Sequence, residues 1–557
     1  MPSQSNPHVL RPAVSPSTQL STVLELTGAD PIASDPDQLE RLRVTGIEQR
    51  SHAVHPGDLF AALPGGQAHG ARFARDAVAR GAVAVFTDAA GAELIGPIEV
   101  PVLVREQPRA VLGELSAALY GHPSRRLRVI GITGTSGKTT TAYLVEAGLA
   151  AAGLSTALIG TIETRIGGQR VPSALTTPEA PQLHAMFALM VEQGVDAVVM
   201  EVSSHALALG RVDGVRFAVG GFTNLSQDHL DFHADFDDYF GAKRRLFAAD
   251  SPVAAEIAVV CIDDEWGIKL AADLEVPITV STWGIQMSSA DWGLAGAIET
   301  YGGEQEFVAT HRGQSIPVRL RLPGRYNVAN GLLAIALCAA AGVEAATAAA
   351  ALSMVDVPGR MQRVEQGQEF LAVVDYAHKP AAVESVIATL RGHLESAAFH
   401  AQAADQPEAD PGGKVTRDTG RLAVVLGAGG DRDAGKRPLM GAAGARGADL
   451  LIVTDDNPRS EDPAAIRAAV LDGAQRIPAA ERAEVREIGD RAAAIAAAVE
   501  WAAAGDVVLV AGKGHEEGQE INGHKHPFDD RKVLADAVRH KLSGGSSATD
   551  AEGLTLR

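Results

Sequence analysis

The chain has 557 residues, of which 46% are hydrophobic and 21% charged, a composition typical of globular proteins with several cores. Its 69 acidic and 49 basic side chains give a formal charge of -20, which would repel nucleic acid and disfavours that class of partner. Cys261 and Cys338 lie in apolar runs, so we expect buried free thiols in a reducing compartment, without a disulfide framework or a zinc site.

The first 122 residues are predicted to form a tail and a small α/β domain. Residues 1–20 lack the continuous apolar run of a signal peptide, which indicates a flexible tail of a cytoplasmic protein. Residues 21–122 alternate short apolar strands with helices and with turns such as "HPGD".

Residues 123–356 are predicted to form a central domain. The strand "RVIGIT" is followed by alternating helices and strands, a pattern typical of a doubly wound, mainly parallel sheet. Between Trp292 and Leu322 the period changes to two, which predicts added antiparallel strands. The apolar run from Leu332 to Leu352 contains Gly342 and Glu344, so we expect two packed helices and no membrane span.

Residues 357–542 are predicted to form a third, Rossmann-like domain, although no Gly-x-Gly-x-x-Gly motif opens it. Within it, residues 400–420 are polar and rich in proline and glycine, which predicts a disordered insertion. Residues 543–557 are predicted to form a second flexible tail. The predicted fold class is therefore α/β with three domains: a small N-terminal α/β domain, a central domain with a doubly wound, mainly parallel sheet, and a C-terminal Rossmann-like domain.

The stretch "GTSGKTT" resembles a phosphate-binding loop shortened by two residues. A strand, a glycine turn and a helix start in that order place backbone N–H groups around an anion. Lys138 is expected to neutralise the β and γ phosphates of ATP, and the Thr139 hydroxyl to bind magnesium. The predicted ATP-binding residues of the loop are Gly134, Thr135, Ser136, Gly137, Lys138, Thr139 and Thr140.

Two further side chains, Glu201 and His229, lie at or just after the ends of apolar strands. In doubly wound sheets, ligands bind at this edge. Glu201 ends the strand "AVVME", and His229 follows "GGFTNL". We predict that both face the loop and hold magnesium, with a capping or core histidine as the alternative for His229.

These motifs resemble the Mur ligase family, the ATP-dependent amide-forming enzymes of peptidoglycan precursor synthesis, which use the same shortened loop. The resemblance covers nearly all of the chain outside the tails and the insertion. It implies two magnesium ions and carbamylation of Lys243 in "YFGAKRRLF", which would turn an amine into an anionic oxygen ligand. The implied catalytic set is Lys138, Glu201, His229 and Lys243, and the implied metal ligands are Thr139, Glu201, His229 and Lys243.

The motif "DNPR", residues 456–459, resembles the one that recognises the added amino acid in diaminopimelate-adding members. A guanidinium at Arg459 could grip the distal carboxylate of meso-diaminopimelate with paired hydrogen bonds, whereas a plain proline turn is the structural alternative. The resemblance implies an amino-acid pocket formed by Arg432, Asp456, Asn457, Arg459, Gly512 and Glu516.

The remaining substrate contacts are also implied by the resemblance. Further ATP contacts are expected at Asn330, Arg360, Asp375 and His378. Contacts to the UDP-linked substrate are expected at Gln49, Arg50, His69, Thr176, Thr177, Ser203 and Arg211. The chain departs from the family here, because Glu48-Gln49-Arg50 stands where many relatives have Asp-Ser-Arg.

The predicted reaction adds meso-diaminopimelate to UDP-N-acetylmuramoyl-L-alanyl-D-glutamate through an acyl phosphate. The expected partners are these small molecules and ATP, with no nucleic acid, and the protein is expected to be a monomer. Three alternatives stay open: addition of another amino acid, a folylpolyglutamate synthetase-like ligase, and a P-loop switch or transport ATPase.

Overall fold

The computed structural model describes residues 10–32, 35–66, 68–173, 175–301, 303–404 and 420–544. The chain divides into two compact units. Unit 1 comprises Met1–Ala295, Ala309–Ile316 and Ala329–Leu352, and unit 2 comprises Gly296–Val308, Pro317–Val328 and Ser353–Arg557. Mainly parallel sheets alternating with helices confirm the predicted α/β class. The predicted domain boundary after residue 122 stays a prediction, because unit 1 spans it.

A small α/β arrangement occupies residues 18–119. Its elements are β1 (Thr18–Gln19), α1 (Leu20–Thr27), β2 (Asp30–Ile32), α2 (Pro36–Arg41), β3 (Arg43–Val44), β4 (Gly46–Glu48), β5 (Asp58–Ala61), α3 (Ala74–Ala79), β6 (Ala84–Thr87), α4 (Ala89–Ile95), β7 (Val102–Val104) and α5 (Arg109–Leu119). The sheet order is β2-β7-β6-β5-β4, with β4 to β7 parallel and β2 antiparallel to β7. Strands β5 and β6 are buried along their whole length, as expected for parallel strands covered on both faces.

The next part of the chain builds a larger sheet. Its elements are β8 (Arg128–Thr133), α6 (Lys138–Ala151), β9 (Thr156–Ile159), β10 (Glu163–Ile166), β11 (Gln169–Pro172), α7 (Ala180–Glu192), β12 (Ala197–Glu201), α8 (Ser204–Ala208), β13 (Val219–Phe222), α9 (Phe236–Arg244), β14 (Ile257–Cys261), α10 (Glu265–Ala272), β15 (Ile278–Val280), β16 (Trp292–Tyr301), β17 (Glu304–His311), β18 (Gln314–Leu320), α11 (Arg325–Ala340) and α12 (Ala345–Leu352). The order is β11-β10-β9-β12-β8-β13-β14-β15-β16-β17-β18.

Strand β8 lies between two parallel neighbours, β12 and β13. The register pairs Glu201 with Ile132 and Phe222 with Thr133, so the carboxyl ends of the three strands lie side by side. This arrangement sets the loop after β8 beside Glu201, at the edge where doubly wound sheets bind ligands.

Unit 2 contains a second, mainly parallel sheet. Its elements after residue 353 are β19 (Gln362–Arg363), β20 (Leu371–Asp375), α13 (Pro380–Ala404), β21 (Leu422–Leu426), α14 (Lys436–Gly447), β22 (Leu450–Val453), α15 (Pro463–Gln475), β23 (Glu484–Glu487), α16 (Arg491–Trp501), β24 (Val507–Ala511), β25 (Gly518–Ile521), β26 (His524–Pro527) and α17 (Asp530–Leu542). The order is β19-β20-β24-β21-β22-β23, and β25 and β26 form a separate hairpin. Strands β20 to β24 are parallel, so the polar motifs that follow β20, β21, β22 and β24 share one edge.

Two predictions about irregular segments are wrong in part. The predicted tail at residues 1–20 includes ordered structure from Leu10, because the Arg11 guanidinium bonds to the buried Asp58 carboxylate. Helix α13 continues through Ala404, so residues 400–404 of the predicted insertion are helical, consistent with their alanine content. Residues 1–9, 405–419 and 545–557 lie outside the described residues.

The predictions for the apolar run and for the two cysteines are confirmed. The apolar run from Leu332 to Leu352 belongs to two helices. Helix α11 ends before Gly342 and α12 begins after it. No helix among the described residues combines the length and the apolar character needed to cross a bilayer. Cys261 and Cys338 are buried free thiols.

Candidate functional site

The turn between β8 and α6 depends on two glycines. Gly134 and Gly137 have φ values of 145° and 88°, which favour glycine. A Cβ atom on Gly134 would lie 1.9 Å from Thr223 Oγ1. A Cβ atom on Gly137 would lie 2.3 Å from Asn330 Oδ1. The tight backbone turn and the N–H groups that open α6 therefore form a cradle suited to an anion.

Two lysines converge on this cradle. Lys138 Nζ donates to the carbonyl oxygens of Gly134 at 2.8 Å and Thr135 at 3.0 Å. Lys243, on α9, is 1% exposed, and its Nζ donates to the same Gly134 carbonyl at 2.8 Å. The Lys243 ammonium also lies 4.5 Å from the centre of the Tyr239 ring. The predicted site for carbamylation is thus buried directly beside the phosphate loop.

The carboxylate of Glu201 contacts the other side of the loop. Glu201 is 1% exposed, and its Oε2 accepts hydrogen bonds from Thr139 Oγ1 and Thr161 Oγ1, both at 3.0 Å. Its Oε1 accepts from the Thr161 backbone N–H at 2.8 Å. A hydroxyl and a carboxylate at the start of the loop helix form an oxygen donor set that suits magnesium.

A group of hydroxyl side chains extends from Glu201 away from the loop. Thr176 Oγ1 lies 3.0 Å from Thr161 Oγ1, and Thr177 Oγ1 donates to the Glu201 carbonyl at 2.9 Å. The Ser203 backbone N–H donates to Thr177 Oγ1 at 3.1 Å. Three residues predicted to bind the UDP-linked substrate therefore lie beside the residue that contacts the phosphate loop.

Arg211 links this group to a cavity. Its guanidinium forms an ion pair with the Glu179 carboxylate at 2.8 Å, and its Nη1 donates to the Thr177 carbonyl at 3.4 Å. Glu179 lines a cavity of ≈ 230 Å³ whose wall also contains the predicted residues Gln49 and Arg50. The predicted contacts to the UDP-linked substrate thus extend from this cavity to Glu201.

His69 has a different position. Its Nδ1 accepts from the Ala71 backbone N–H at 3.1 Å, and its Nε2 lies 3.0 Å from Asp88 Oδ1. It caps a short 3-10 helix, Gly70–Phe73, and is not among the residues that line this cavity. The structure does not bring His69 together with Gln49 and Arg50 around this cavity.

His229 lies in an aromatic cluster next to the loop. Its φ is 54°, its Nε2 lies 3.3 Å from Asp228 Oδ2, and its ring packs edge-on against His205 at 4.8 Å. Tyr239 lies 6.1 Å from the His229 ring and bonds through its hydroxyl to Thr135 Oγ1 at 3.0 Å. Among the described residues, no group of three or more His, Cys, Asp or Glu side chains has the geometry of a metal site.

The rest of the predicted loop contacts also lie together in unit 1. The Ser136 backbone N–H donates to Asn224 Oδ1 at 3.0 Å, and Thr140 is buried in the first turn of α6. Asn330 is buried on α11 and lies 3.4 Å from Thr141 Oγ1. Asn330 thus packs against the helix that carries the loop.

In unit 2, three predicted ATP contacts surround Tyr376. Asp375 accepts hydrogen bonds from the backbone N–H of Met361 at 2.7 Å, and burial raises the pKa of its carboxyl. Arg360 stacks 4.3 Å over the Tyr376 ring. Burial lowers the pKa of His378 to about 4, so its imidazole is neutral at physiological pH.

A buried lysine joins the predicted amino-acid residues of unit 2. Lys513 is 0% exposed, and its Nζ contacts Asn457 Oδ1 at 2.9 Å, Glu516 Oε2 at 3.2 Å and Asp456 Oδ1 at 3.3 Å. Asn457 Nδ2 donates to Glu516 Oε2 at 2.8 Å. Gly512 has a φ of 117°, and a Cβ on it would lie 2.9 Å from Asp456 Oδ2. The Lys513 ammonium thus contacts two carboxylates, so the group formed by Lys513, Asp456 and Glu516 has a net negative charge.

Arg459 lies next to this group in a strained backbone conformation, with a φ of 52°. Its backbone N–H donates to the Glu520 carbonyl at 2.9 Å. Its Nε bonds to the Glu520 carboxylate at 3.2 Å, and its Nη1 donates to the Gly430 carbonyl at 2.6 Å. A Cβ on Gly429 would lie 3.0 Å from Arg459 Nη1 and 3.9 Å from Arg432 Cγ, so the two predicted arginines flank one glycine.

Three family models match the chain: the Mur ligase family catalytic domain at residues 43–120, the Mur ligase middle domain at 132–338, and the Mur ligase glutamate ligase domain at 412–514. The UDP-N-acetylmuramoyl-L-alanyl-D-glutamate--2,6-diaminopimelate ligase of Corynebacterium efficiens is 52% identical over 92% of this chain and 93% of its own length. The chain belongs to the Mur ligase family.

Two further proteins with this name are similar to the chain. The protein from Streptomyces coelicolor is 52% identical over 92% of this chain and 97% of its own length. A solved structure of such a ligase is 31% identical and covers 93% of this chain and 99% of its own, with a TM-score of 0.63.

The sequence analysis did not identify several residues of this Mur ligase that contact the predicted site residues. Thr161, Tyr239 and Lys513 contact Glu201, Thr135 and the "DNPR" motif, respectively. Tyr239 precedes Lys243 by four residues, so helical spacing could have identified it. Lys513 lies between two predicted residues, Gly512 and Glu516, yet its burial and its three partners are visible only in the structure.

Proposed function

We propose that this Mur ligase family member is an ATP-dependent ligase of peptidoglycan precursor synthesis. It joins an amine of meso-diaminopimelate to the glutamate carboxylate of UDP-N-acetylmuramoyl-L-alanyl-D-glutamate. The observation that carries the proposal is the position of Glu201, which contacts Thr139 of the phosphate loop on one side. On the other side it contacts Thr161 and Thr177, and Thr177 is a predicted contact of the UDP-linked substrate. The nucleotide phosphates and the acceptor carboxylate would meet at this residue.

ATP would bind with its phosphates in the cradle between β8 and α6. The first N–H groups of α6 and the Lys138 ammonium would stabilise the charge of the β and γ phosphates. Thr139 and Glu201 would hold one magnesium ion, and His229 and a carbamylated Lys243 are the proposed ligands of a second. Bound magnesium would supply neutralisation of phosphate charge.

In the first step, a glutamate carboxylate oxygen attacks the γ-phosphorus. The bond from that phosphorus to the bridging oxygen breaks, ADP leaves, and an acyl phosphate forms. The cradle can stabilise the charge on the transferred group because its N–H groups and Lys138 are already oriented. The threonines beside Glu201 would position the carboxylate end of the acceptor.

In the second step, the neutral amine of diaminopimelate attacks the acyl carbon. Phosphate leaves and the nitrogen loses a proton, which yields the amide. The net negative group formed by Lys513, Asp456 and Glu516 would attract the ammonium groups of the amino acid. Arg459 would bind its distal carboxylate, which lysine lacks. ATP and UDP-linked precursors are cytoplasmic metabolites, so we propose a cytoplasmic location.

The test compares acceptors and amino acids in one assay. Purified protein with ATP and magnesium is given the UDP-dipeptide together with either meso-diaminopimelate or lysine, or a folate with glutamate, and phosphate and product mass are measured. We expect a new amide only with the UDP-dipeptide and meso-diaminopimelate. Preference for lysine or for the folate would support those alternatives, and phosphate release without any co-substrate would favour a switch or transport ATPase.

A further inference from the structure

The segment of residues 10–19, called the N-terminal segment below, precedes the part of the chain that the family models match, which begins at residue 43. Leu10 packs against the hydrophobic core around β8 and α7. The Ala13 backbone N–H donates to Glu192 Oε2, at the end of α7, at 2.8 Å. At its other end, β1 pairs with β3. The N-terminal segment therefore contacts the core and the helix α7 beside the large sheet, and its β1 forms a two-stranded sheet with β3.

Arg11 is the polar centre of this segment. Its Nη1 donates to both carboxylate oxygens of Asp58 at 2.8 Å, and its Nη2 contacts Glu48 Oε2 at 3.4 Å. Its side chain is 11% exposed, whereas those of Glu48 and Asp58 are 1% and 2% exposed. A guanidinium can bridge two carboxylates in this way because its donors point in fixed directions.

Glu48 in turn fixes the residues that follow it. Its Oε1 accepts from the backbone N–H groups of Gln49 at 2.9 Å and Arg50 at 3.1 Å, and its Oε2 accepts from Arg50 Nη2 at 2.9 Å. Gln182 Nε2, on α7, donates to Glu48 Oε1 at 2.5 Å. Burial alone would raise the pKa of Glu48, but the bonds from Arg50 and the charge of Arg11 outweigh it and hold the pKa below its usual value.

These groups form one wall of the cavity lined by Gln49 and Arg50. Leu10, Arg11 and Glu48 line the same cavity. The residues that line the cavity include two carboxylates, Glu48 and Glu179, and two guanidinium groups, Arg11 and Arg50, so their formal charges cancel. Removal of the Arg11 charge would leave the wall net negative, which disfavours a ligand that carries a diphosphate.

We propose that Arg11 is a positioning residue of the nucleotide-sugar site, which orients Gln49 and Arg50 through Glu48 and keeps the cavity wall neutral. The ligand is a uridine diphosphate sugar, and this part of the inference rests on the proposed function. The N-terminal segment is then part of the substrate site. Many relatives have Asp-Ser-Arg where this chain has Glu48-Gln49-Arg50. The glutamate side chain is longer than aspartate and contacts Gln182 and Arg11 together, which gives this departure a structural reason.

The test replaces Arg11 with methionine, which keeps much of the side-chain volume and removes the charge. We expect the KM for the UDP-dipeptide to rise about tenfold or more, because the loss affects ground-state binding. The KM values for ATP and meso-diaminopimelate should stay within about twofold, since the Arg11 bonds to Asp58 and Glu48 involve none of the residues proposed to bind those two ligands. Arg11→Lys should give an intermediate KM. Arg41→Met, at an exposed arginine of α2, is the matched control and should behave as wild type.

Calorimetric titration with the UDP-dipeptide and with ADP separates binding from catalysis. We expect weaker binding of the UDP-dipeptide alone. An unchanged affinity, or an equal loss for ADP, would overturn the positioning role. If Arg11→Met does not fold, the double variant Arg11→Met/Asp58→Asn is used instead, because it also removes the charge of the buried carboxylate that Arg11 pairs with. Its affinity for the UDP-dipeptide is the same readout. Failure of the wild-type protein to bind the UDP-dipeptide would instead contradict the proposed function.

Discussion

Replacement of Arg459 by lysine tests the proposed basis of amino-acid selectivity. In the structure the guanidinium is oriented by Glu520 through Nε at 3.2 Å and by the Gly430 carbonyl through Nη1 at 2.6 Å. These two bonds fix the plane of the group and leave N–H donors on the Nη edge for a ligand carboxylate. A lysine keeps the positive charge, but its single ammonium cannot make the two orienting bonds and a paired contact to the ligand.

The size of the effect follows from the number of bonds lost. A hydrogen bond to a charged group contributes about 1.5–3 kcal/mol. The Arg459 side chain is 22% exposed, so solvent screens part of this energy and the lower half of the range applies. Loss of one of two ligand bonds should therefore cost about 1.5–2 kcal/mol, which corresponds to a rise in KM of about 10–30-fold.

The assay is steady-state phosphate release with each substrate varied in turn. We expect the KM for meso-diaminopimelate to rise while the KM values for ATP and the UDP-dipeptide do not change. Arg421→Lys is a matched control, because Arg421 also pairs with a carboxylate, Asp506, but at the opposite end of the sheet. Equal increases in all three KM values, or no increase for meso-diaminopimelate, would refute the assignment of Arg459.

Three further predictions concern the loop and the core of unit 2. Lys243→Ala should abolish ligation, and a small carboxylate such as acetate should restore part of it; full activity without the additive would remove the carbamate from the mechanism. Gly137→Ala should weaken ADP binding in calorimetry, because its Cβ would meet Asn330 Oδ1 at 2.3 Å in a left-handed conformation, and unchanged binding would contradict the cradle. Arg491→Met should lower the melting temperature, since an unpaired buried Asp530 costs about 3–5 kcal/mol, and the double variant with Asp530→Leu should recover most of the loss.

Local order in the sequence was enough to predict the phosphate loop. A strand, two glycines and a helix that begins at Lys138 are neighbours in the chain, so their geometry follows from backbone rules. The contact of Glu201 with Thr139 joins residues 62 apart. It was predictable in outline because parallel strands bring their carboxyl ends to one edge, as the pairing of β8 with β12 confirms.

Contacts between side chains from segments without periodicity could not be predicted. Arg11 lies in a polar, proline-containing stretch and meets Asp58 across 47 residues, so no hydrophobic pattern indicates the ion pair. Glu520 lies on a half-exposed polar hairpin that lacks an apolar face. His229 was predicted beside Glu201, and its position against Tyr239 depends on a left-handed backbone turn that the sequence does not specify.

The central claim is that the acceptor carboxylate becomes an acyl phosphate on the loop that carries Lys138. The most direct measurement uses UDP-dipeptide labelled with oxygen-18 in the reacting glutamate carboxylate, together with ATP, magnesium and meso-diaminopimelate. Mass spectrometry of the released phosphate should detect one labelled oxygen for each amide formed, because that oxygen bridges carbon and phosphorus in the intermediate. Amide formation with unlabelled phosphate, the label remaining entirely in the product and in water, would contradict the account.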